Sequence, residues 1–237
     1  MASGQPATVF TDGTFTPADW QSATFVAQGT TSMAFDQVAA GNPEPGRRMT
    51  FSVTSVDAGA TVINRSGAVN VVFSYDPSVQ GAIQGIVVSF DLAVLTSTFP
   101  GARSGGYTPM LVQGGIAYAM SGGASAGSTA WVGFTRSSTD ASQWVGGGFN
   151  PDFSASGGVI RFGYQTTFTL SCDLQVNCGP ATVTSALDNY RVAIESVPVT
   201  NAGIPEPSTL ALSGGALLLV AVGSGRRSAS PTDRTTS

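Results

Sequence analysis

The chain of 237 residues has no histidine and no lysine, and only 10% of its residues are charged. Without histidine, the usual general base of serine and cysteine hydrolases and the commonest nitrogen ligand of zinc are missing. Without lysine, a glycine-rich loop has no ammonium group to complete a phosphate site. The composition therefore excludes several common enzyme classes before any motif is considered.

The few charges are mostly negative. The ten basic residues are all arginine and face 14 acidic residues, for a net charge of −4. Residues 204–237 hold three of the arginines and two of the acids, which leaves 7 basic and 12 acidic residues (10 − 3 and 14 − 2), net −5, in the preceding part. An acidic domain without basic clusters does not bind nucleic acid by counterion release, so we expect no nucleic-acid partner.

Cysteine is also scarce, since Cys172 and Cys178 are the only two. In a chain that enters an oxidising compartment, such a close pair predicts a disulfide that closes a small loop at a hairpin tip. A zinc site would need more ligands than these two.

No long segment before residue 208 has the apolar periodicity of an amphipathic helix, whereas alternation of apolar and polar residues is frequent. The alternation is clearest in residues 86–95, 160–170 and 190–195, which predict strands. Shorter candidate strands are 48–56, 68–75, 110–113, 116–120, 130–135 and 143–147. With 30 glycines to supply turns, the pattern predicts an all-β fold, an antiparallel β-sandwich over residues 1–196.

The C-terminal segment has a different composition. The tripeptide Pro205-Glu206-Pro207 precedes an uncharged apolar run, and the pair Arg226-Arg227 follows it. A helix over about residues 209–225 would span roughly 25 Å, less than the roughly 30 Å hydrocarbon core, so it would insert only marginally. The basic pair predicts a cytoplasmic C-terminus, and the prolines keep the tripeptide extended at the membrane edge.

This ordered set within residues 204–228 resembles the PEP-CTERM sorting signal of Gram-negative bacteria. The resemblance implies recognition by exosortase, an integral-membrane transpeptidase-like protein. It also implies a precursor anchored transiently in the inner membrane, then delivery to the cell envelope or to the polysaccharide of the extracellular matrix. The chain would then comprise a domain (1–196), a linker (197–203), the signal (204–228) and a polar tail (229–237). A plain C-terminal membrane anchor is the alternative.

Members of that family normally begin with a signal peptide. Residues 1–6 have neither a basic start nor an apolar core of the required length. We therefore expect an upstream start or another route of export.

Three passages, in residues 41–48, 75–95 and 187–192, resemble the jelly-roll, concanavalin-like sandwiches often found ahead of PEP-CTERM signals. Such domains include lectins and carbohydrate-binding modules, so the resemblance implies extracellular polysaccharide as a partner.

Aromatic side chains are the candidates for sugar contact, because their faces bury the apolar faces of pyranose rings. Trp144 lies among polar residues and the three glycines 146–148, so we expect it to be exposed and to stack on a sugar. Core packing is the alternative for Trp144 and for the other candidates, which are Trp20, Trp131, Tyr107 and Tyr118.

Calcium is the one cofactor that the sequence suggests. Asp188, beside Asn189 at the entry to the last predicted strand, would bind the ion together with Asp12 if the two ends of the domain pair in one sheet. The alternative is that Asp188 and Asn189 form a turn and bond nearby backbone amides.

Catalytic residues are few. The sequence from Gly123 to Gly127 places Ser125 in the spacing of a nucleophile elbow, but no base and no helix accompany it, so we interpret it as a loop. A glycoside hydrolase would need only two acids at a set separation, yet residues 1–203 contain only Glu44 and Glu195 as glutamates.

We predict an exported, non-enzymatic envelope or matrix protein that contacts polysaccharide. The alternatives are a secreted glycan hydrolase and a structural matrix protein without a discrete ligand.

Overall fold

The computed structural model describes residues 7–43, 45–99, 102–125, 127, 129–175 and 177–197. These residues are mostly strand. The strands are β1 (Thr8–Asp12), β2 (Trp20–Ala27), β3 (Thr31–Val38), β4 (Gly46–Val53), β5 (Thr61–Tyr75), β6 (Ile83–Ser97), β7 (Ala102–Gln113), β8 (Ile116–Met120), β9 (Ala124–Ser125), β10 (Val132–Ser138), β11 (Trp144–Val145), β12 (Ile160–Ser171) and β13 (Ala181–Ser196). A four-residue helix, α1 (Pro77–Gln80), and two 3-10 turns, Pro17–Asp19 and Ala141–Gln143, complete the described elements.

The strands form two antiparallel sheets. Sheet A has the order β10-β6-β13-β4-β3, with β1 also paired to β13, and sheet B has the order β11-β8-β7-β12-β5-β2, with β9 on β7. Their inner faces share one hydrophobic core, where Phe51 of sheet A stacks on Phe168 of sheet B with ring centroids 5.4 Å apart. The predicted all-β antiparallel sandwich is confirmed.

The three clearest predicted strands are confirmed and are longer than predicted. They lie within β6, β12 and β13, and their alternating apolar residues are buried. Strands β1, β2 and β3 were not predicted. In β2 only Trp20 is buried, because the strand forms an edge of sheet B, so the alternation that marks the central strands is missing there.

Both ends of the described chain lie at one end of the sandwich, which we call the proximal end. Thr8 pairs with Ile194, and the Val197 amide donates to the Ala82 carbonyl oxygen at 2.9 Å. The distal end holds the start of β13 and the end of β12. Because β13 has 16 residues at about 3.3 Å each, the two ends are about 50 Å apart.

The disulfide between Cys172 and Cys178 is confirmed, and it lies at the distal end. Its loop is not a hairpin tip, because β12 belongs to sheet B and β13 to sheet A. The loop crosses between the sheets and is held by the segment before β5. Val56 and Cys178 exchange backbone hydrogen bonds of 2.7 and 2.9 Å, and the Cys172 amide donates to the Ala60 carbonyl oxygen at 3.1 Å.

A buried polar chain also joins the sheets. The Trp20 Nε1–H donates to Asp12 at 2.8 Å, and the Arg47 guanidinium lies over the Trp20 ring, 5.2 Å from its centroid. Arg47 Nε donates to the Tyr164 hydroxyl at 2.9 Å. Burial raises the pKa of Tyr164 to about 12, so the phenol stays neutral beside the cation at any ordinary pH.

The predicted helix at about 209–225 lies outside the described residues, as do the sorting residues Pro205, Glu206, Pro207, Arg226 and Arg227. Within the described ranges, no helix has the length and apolar character needed to span a bilayer.

Candidate functional site

The exposure expected for Trp144 is wrong. The Ala141–Gln143 turn directs the indole inward, where it is fully buried and its Nε1–H donates to the Ser138 hydroxyl at 3.0 Å. A ring held in the core cannot stack on a sugar. Of the other candidates, Trp20, Tyr107 and Tyr118 are also buried, and only Trp131 is half-exposed.

An aromatic ring that the sequence analysis missed lies on the outer face of sheet B. Phe25 is 42% exposed and sits at an irregularity of β2, between Thr24 and Val26. Its neighbour on β5 is Gly67, which points outward because Ala68 beside it is in the core. A Cβ on Gly67 would lie 2.8 Å from Cε2 of Phe25, so the ring covers the space that this glycine leaves.

The same outer face carries a cleft toward the distal end, which we call the sheet B groove. Its volume is about 330 Å³, and it lies along β7, β9 and β12. Gln165 of β12 pairs with Thr108 of β7 on one side and with Gly67 of β5 on the other. Because Thr108 borders the groove and Phe25 covers Gly67, the groove and Phe25 are two strands apart, roughly 10 Å. The lining residues are Ser104, Gly105, Gly106, Thr108, Gly123, Ala124, Ser125, Thr167 and Thr169. None of them is charged.

The hydroxyl groups of the groove are unused. Within the described part of the chain, none of its five hydroxyls takes part in a hydrogen bond; they belong to Ser104, Thr108, Ser125, Thr167 and Thr169. Glycines form much of the floor, and a Cβ on Gly106 would meet nothing closer than the Thr167 carbonyl oxygen at 3.8 Å. The groove therefore offers free donors and acceptors beside accessible backbone. Ser125, interpreted from the sequence as part of a loop, belongs to strand β9.

A second cleft, on sheet A at the same end, differs in this respect. It measures about 340 Å³ and is also lined by serine and threonine. Two of its six hydroxyls are engaged with the protein, whereas none in the groove is engaged with a described residue. Thr98 Oγ1 accepts from the Thr182 amide at 2.9 Å, and Thr30 Oγ1 accepts from the Ser55 amide at 3.2 Å. These groups hold the loops together and are less available to a ligand.

Charge is divided unevenly between the sheets. The seven strands of sheet B contain no Asp or Glu, yet they contain Arg65, Arg103 and Arg161. The strands of sheet A contain five acids, which are Asp12, Asp36, Asp91, Asp188 and Glu195. Across the described residues the one ion pair is Arg48–Asp36, also on sheet A. The arginines of sheet B thus have no carboxylate partner there.

The two aspartates proposed as calcium ligands are both found where β1 meets β13, as the sequence suggested. Asp12 pairs with Tyr190, two residues beyond Asp188. The Asp12 carboxylate, however, accepts hydrogen bonds from five donors, among them the Phe15 amide at 2.8 Å and Trp20 Nε1 at 2.8 Å. No group of three or more metal-ligating side chains occurs in the described ranges.

Asp188 and Asn189 form a latch on the loop before β4. The Asp188 carboxylate accepts from the amides of Asn42 and Asn189, and Asn189 Nδ2 donates to Asp91 at 2.7 Å. Burial raises the pKa of Asp188, and these two amides partly oppose the increase. The pair thus bonds nearby backbone. Calcium binding stays a prediction, and a melting temperature that changes with neither calcium nor a chelator would contradict it.

Sequence signals for the site were weak. The run in β2 is rich in aromatic and β-branched residues and is bounded by Pro17 and Gly29, which could have identified a strand containing Phe25. The register that brings β2, β5, β12 and β7 side by side has no counterpart in the sequence.

No protein-family model matches the chain, and no curated protein matches it. Solved structures align with it at low TM-score and low identity. The CBM22-1 xylan-binding domain of Paenibacillus barcinonensis Xyn10C aligns with a TM-score of 0.38 and 10% identity, covering 82% of this chain and 99% of that one. A further xylan-binding domain, from CBM 22, gives 0.36 and 11%, covering 84% and 99%. The CBM22-1–GH10 modules of Clostridium thermocellum xylanase 10B give 0.37 and 12%, covering 81% and 29%.

Proposed function

We propose that the sandwich is a non-enzymatic polysaccharide-binding domain and that the sheet B groove, together with Phe25, is its binding face. The observation that carries the proposal is the set of five hydroxyls in the groove with no partner among the described residues. Hydroxyls that donate and accept suit the hydroxyls of a sugar chain, and an exposed aromatic ring covers the apolar face of a pyranose.

The lining of the clefts argues for binding over hydrolysis. Glycoside hydrolysis needs two carboxyl groups about 5–10 Å apart on either side of the scissile bond. Neither the sheet B groove nor the cleft on sheet A is lined by Asp or Glu. A hydrolase would have to place its acids on residues outside these clefts.

The direct test fills the groove without disturbing the fold. Gly106→Val projects into open space, so we expect an unchanged melting temperature and a loss of affinity for the extracellular polysaccharide of the producing cells. Affinity electrophoresis or calorimetry measures the change. Gly158→Val is the control, because an added Cβ there also meets no close neighbour and the residue lies just before β12, at the end of sheet B away from the groove.

A second pair of variants tests the contribution of Phe25 to binding. Phe25→Ala should weaken binding by about fivefold to tenfold, which corresponds to the roughly 1–1.5 kcal/mol of an aromatic contact. Phe149→Ala, at a ring that is 71% exposed near the proximal end, should leave binding unchanged. If the wild-type protein binds no polysaccharide at all, a structural matrix protein without a discrete ligand becomes the better description.

Export to the envelope or matrix is part of the proposal. The support is the sequence of residues 204–228, with its proline–glutamate–proline tripeptide, short apolar segment and basic pair. In host cells with exosortase, we expect a matrix-associated protein whose mass lacks the C-terminal segment. In cells without exosortase, the intact chain should stay in the inner membrane. Identical location and mass in both strains would refute sorting by exosortase while leaving polysaccharide binding untouched.

The groove lies far from the point where the described chain leaves the sandwich. The described chain leaves the sandwich at the proximal end, whereas the groove lies toward the distal end. From Ser104 in the groove to Gln113 near the proximal end, β7 spans about 30 Å at ~3.3 Å per residue.

A further inference from the structure

The groove continues into a smaller and more enclosed pocket. This pocket, about 170 Å³ in volume, shares Ser104, Gly105 and Ser125 with the sheet B groove and reaches between the two sheets at the distal end. We call it the side pocket. At roughly 30 Å³ per water-sized group, it holds a substituent of about five or six heavy atoms.

The floor of the side pocket is apolar and firmly held. It is formed by Val94, Phe168 and Val183. The Phe168 ring stacks on Phe51 and packs against the backbone of Gly105, where a Cβ would lie 2.9 Å from Cε1 of the ring. Such a floor favours a methyl or other small apolar group.

The wall of the side pocket carries a cation. Arg103 lines it and is exposed, and its Nη1 donates to the Ser97 hydroxyl. Its remaining N–H groups have no partner in the described residues, and no carboxylate pairs with it there. A guanidinium with free N–H groups beside an apolar floor is suited to a carboxylate attached to a small apolar carbon.

Neighbouring residues of sheet B add to the positive charge of Arg103. Arg65 lies in one row with Thr167, Gly106 and Ser125 across β5, β12, β7 and β9, so a second arginine borders the groove. With no acid in any strand of sheet B, both arginines act on a face without opposing charge. The domain as a whole is acidic, but this face is not.

We infer that the ligand is an acidic polysaccharide whose sugars carry a pyruvate-ketal type of substituent, with the ketal methyl on the apolar floor and the carboxylate on Arg103. This inference rests on the proposed function and specifies its ligand. The sugar chain lies along the hydroxyls of the groove, Arg65 adds a longer-range attraction, and the side pocket selects the substituent.

The experiment uses the purified protein and two polymers: a galactan that carries 4,6-pyruvate ketals, and the same galactan after mild-acid removal of the ketals. We expect the wild-type protein to bind the ketal-bearing polymer about tenfold more tightly, the value of one good charge-assisted contact. The preference should shrink as salt is raised, because exposed charges are screened.

Arg103→Gln should remove the preference and leave affinity for the stripped polymer unchanged. Arg161→Gln, which loses the same charge near the proximal end of the same face, should keep the preference. Both arginines are exposed, so melting temperatures should match that of the wild type.

The outcomes separate the two proposals. Equal wild-type affinity for the two polymers, or equal losses in the two variants, overturns the acidic-substituent inference and leaves polysaccharide binding in place. Failure to bind either galactan, together with failure to bind the polysaccharide of the producing cells, overturns the proposed function and the inference with it.

Discussion

The two outer faces of the sandwich are built from similar strands, but they differ in what their polar groups do. On sheet A, acids, amides and hydroxyls are bonded to one another, as in Arg48–Asp36 and in the latch of Asp188, Asn189 and Asn42. On sheet B, the five groove hydroxyls have no partner in the described residues, and of the three arginines only Arg103 is bonded, to the Ser97 hydroxyl. Polar groups that the fold does not use are the better guide to a ligand surface.

The comparison also shows that net charge describes the whole domain and not a face of it. The excess of acids resides in sheet A and in the loops, while all seven arginines of residues 1–203 lie on strands. The net negative charge of the whole domain therefore does not describe the outer face of sheet B.

The largest effect is expected where the two sheets are joined. Asp12 is on sheet A but accepts from Trp20 and Asn70 of sheet B and from two amides of its own turn. Asp12→Ala should lower the free energy of unfolding by about 3–4 kcal/mol, because several buried donors lose their acceptor together. Asp12→Asn, which keeps one acceptor oxygen, should cost less. Equal losses in a urea titration would show that charge and not hydrogen bonding is decisive.

The second prediction concerns the glycines of sheet B. A Cβ on Gly163 would fall against the Ala68 carbonyl oxygen and 2.7 Å from Val69 Cα, at a register shift between β12 and β5. Gly163→Ala should therefore cost about 2–3 kcal/mol through displaced backbone. Gly106→Ala is the matched control and should be nearly neutral in the same denaturation assay. A neutral Gly163→Ala would mean that the sheet adjusts more freely than its packing indicates.

The third prediction compares the clefts of the two sheets directly. Thr167→Val in the sheet B groove removes a free hydroxyl while keeping the branched shape, and should weaken polysaccharide binding by about fivefold, or about 1 kcal/mol. Thr182→Val, the same change in the sheet A cleft, should leave affinity unaltered. Calorimetric titration of both variants tests the contrast. The opposite ranking would move the binding face to sheet A.

The smallest effect is a pH dependence in sheet A. Burial raises the pKa of Asp188 above its ordinary value of 3.8. Such a group stabilises the fold most below pH 3.8, and its contribution is lost as the pH rises through the folded-state pKa. The free energy of unfolding of the wild type should therefore fall, relative to Asp188→Asn, as the pH rises from below 3.8 through the raised pKa. A difference that stays constant over that range would contradict the raised pKa.

The fold could be predicted from the sequence because its main strands obey a period of two. In β12, Ile160, Phe162 and Leu170 alternate with outward residues, and no helical pattern competes. The disulfide followed from proximity of the two cysteines, but its place between the sheets did not, because a sequence does not state which strands share a sheet.

The site could not be predicted in the same way. Trp144 has glycines and polar residues around it in sequence, yet a 3-10 turn and one hydrogen bond to Ser138 carry it into the core. Phe25 is exposed through an irregularity of an edge strand, and its relation to Gly67 and to the groove depends on strand register. Local composition decides neither of these outcomes.

The separation of the chain exit from the groove has a mechanical consequence. If the C-terminus is held and a polymer bound in the groove is pulled, the force runs lengthwise along β12, β7 and β13. The hydrogen bonds of antiparallel ladders stand perpendicular to their strands, so this load shears many of them at once and does not open them one after another. The domain is thus oriented to resist tension as a tether.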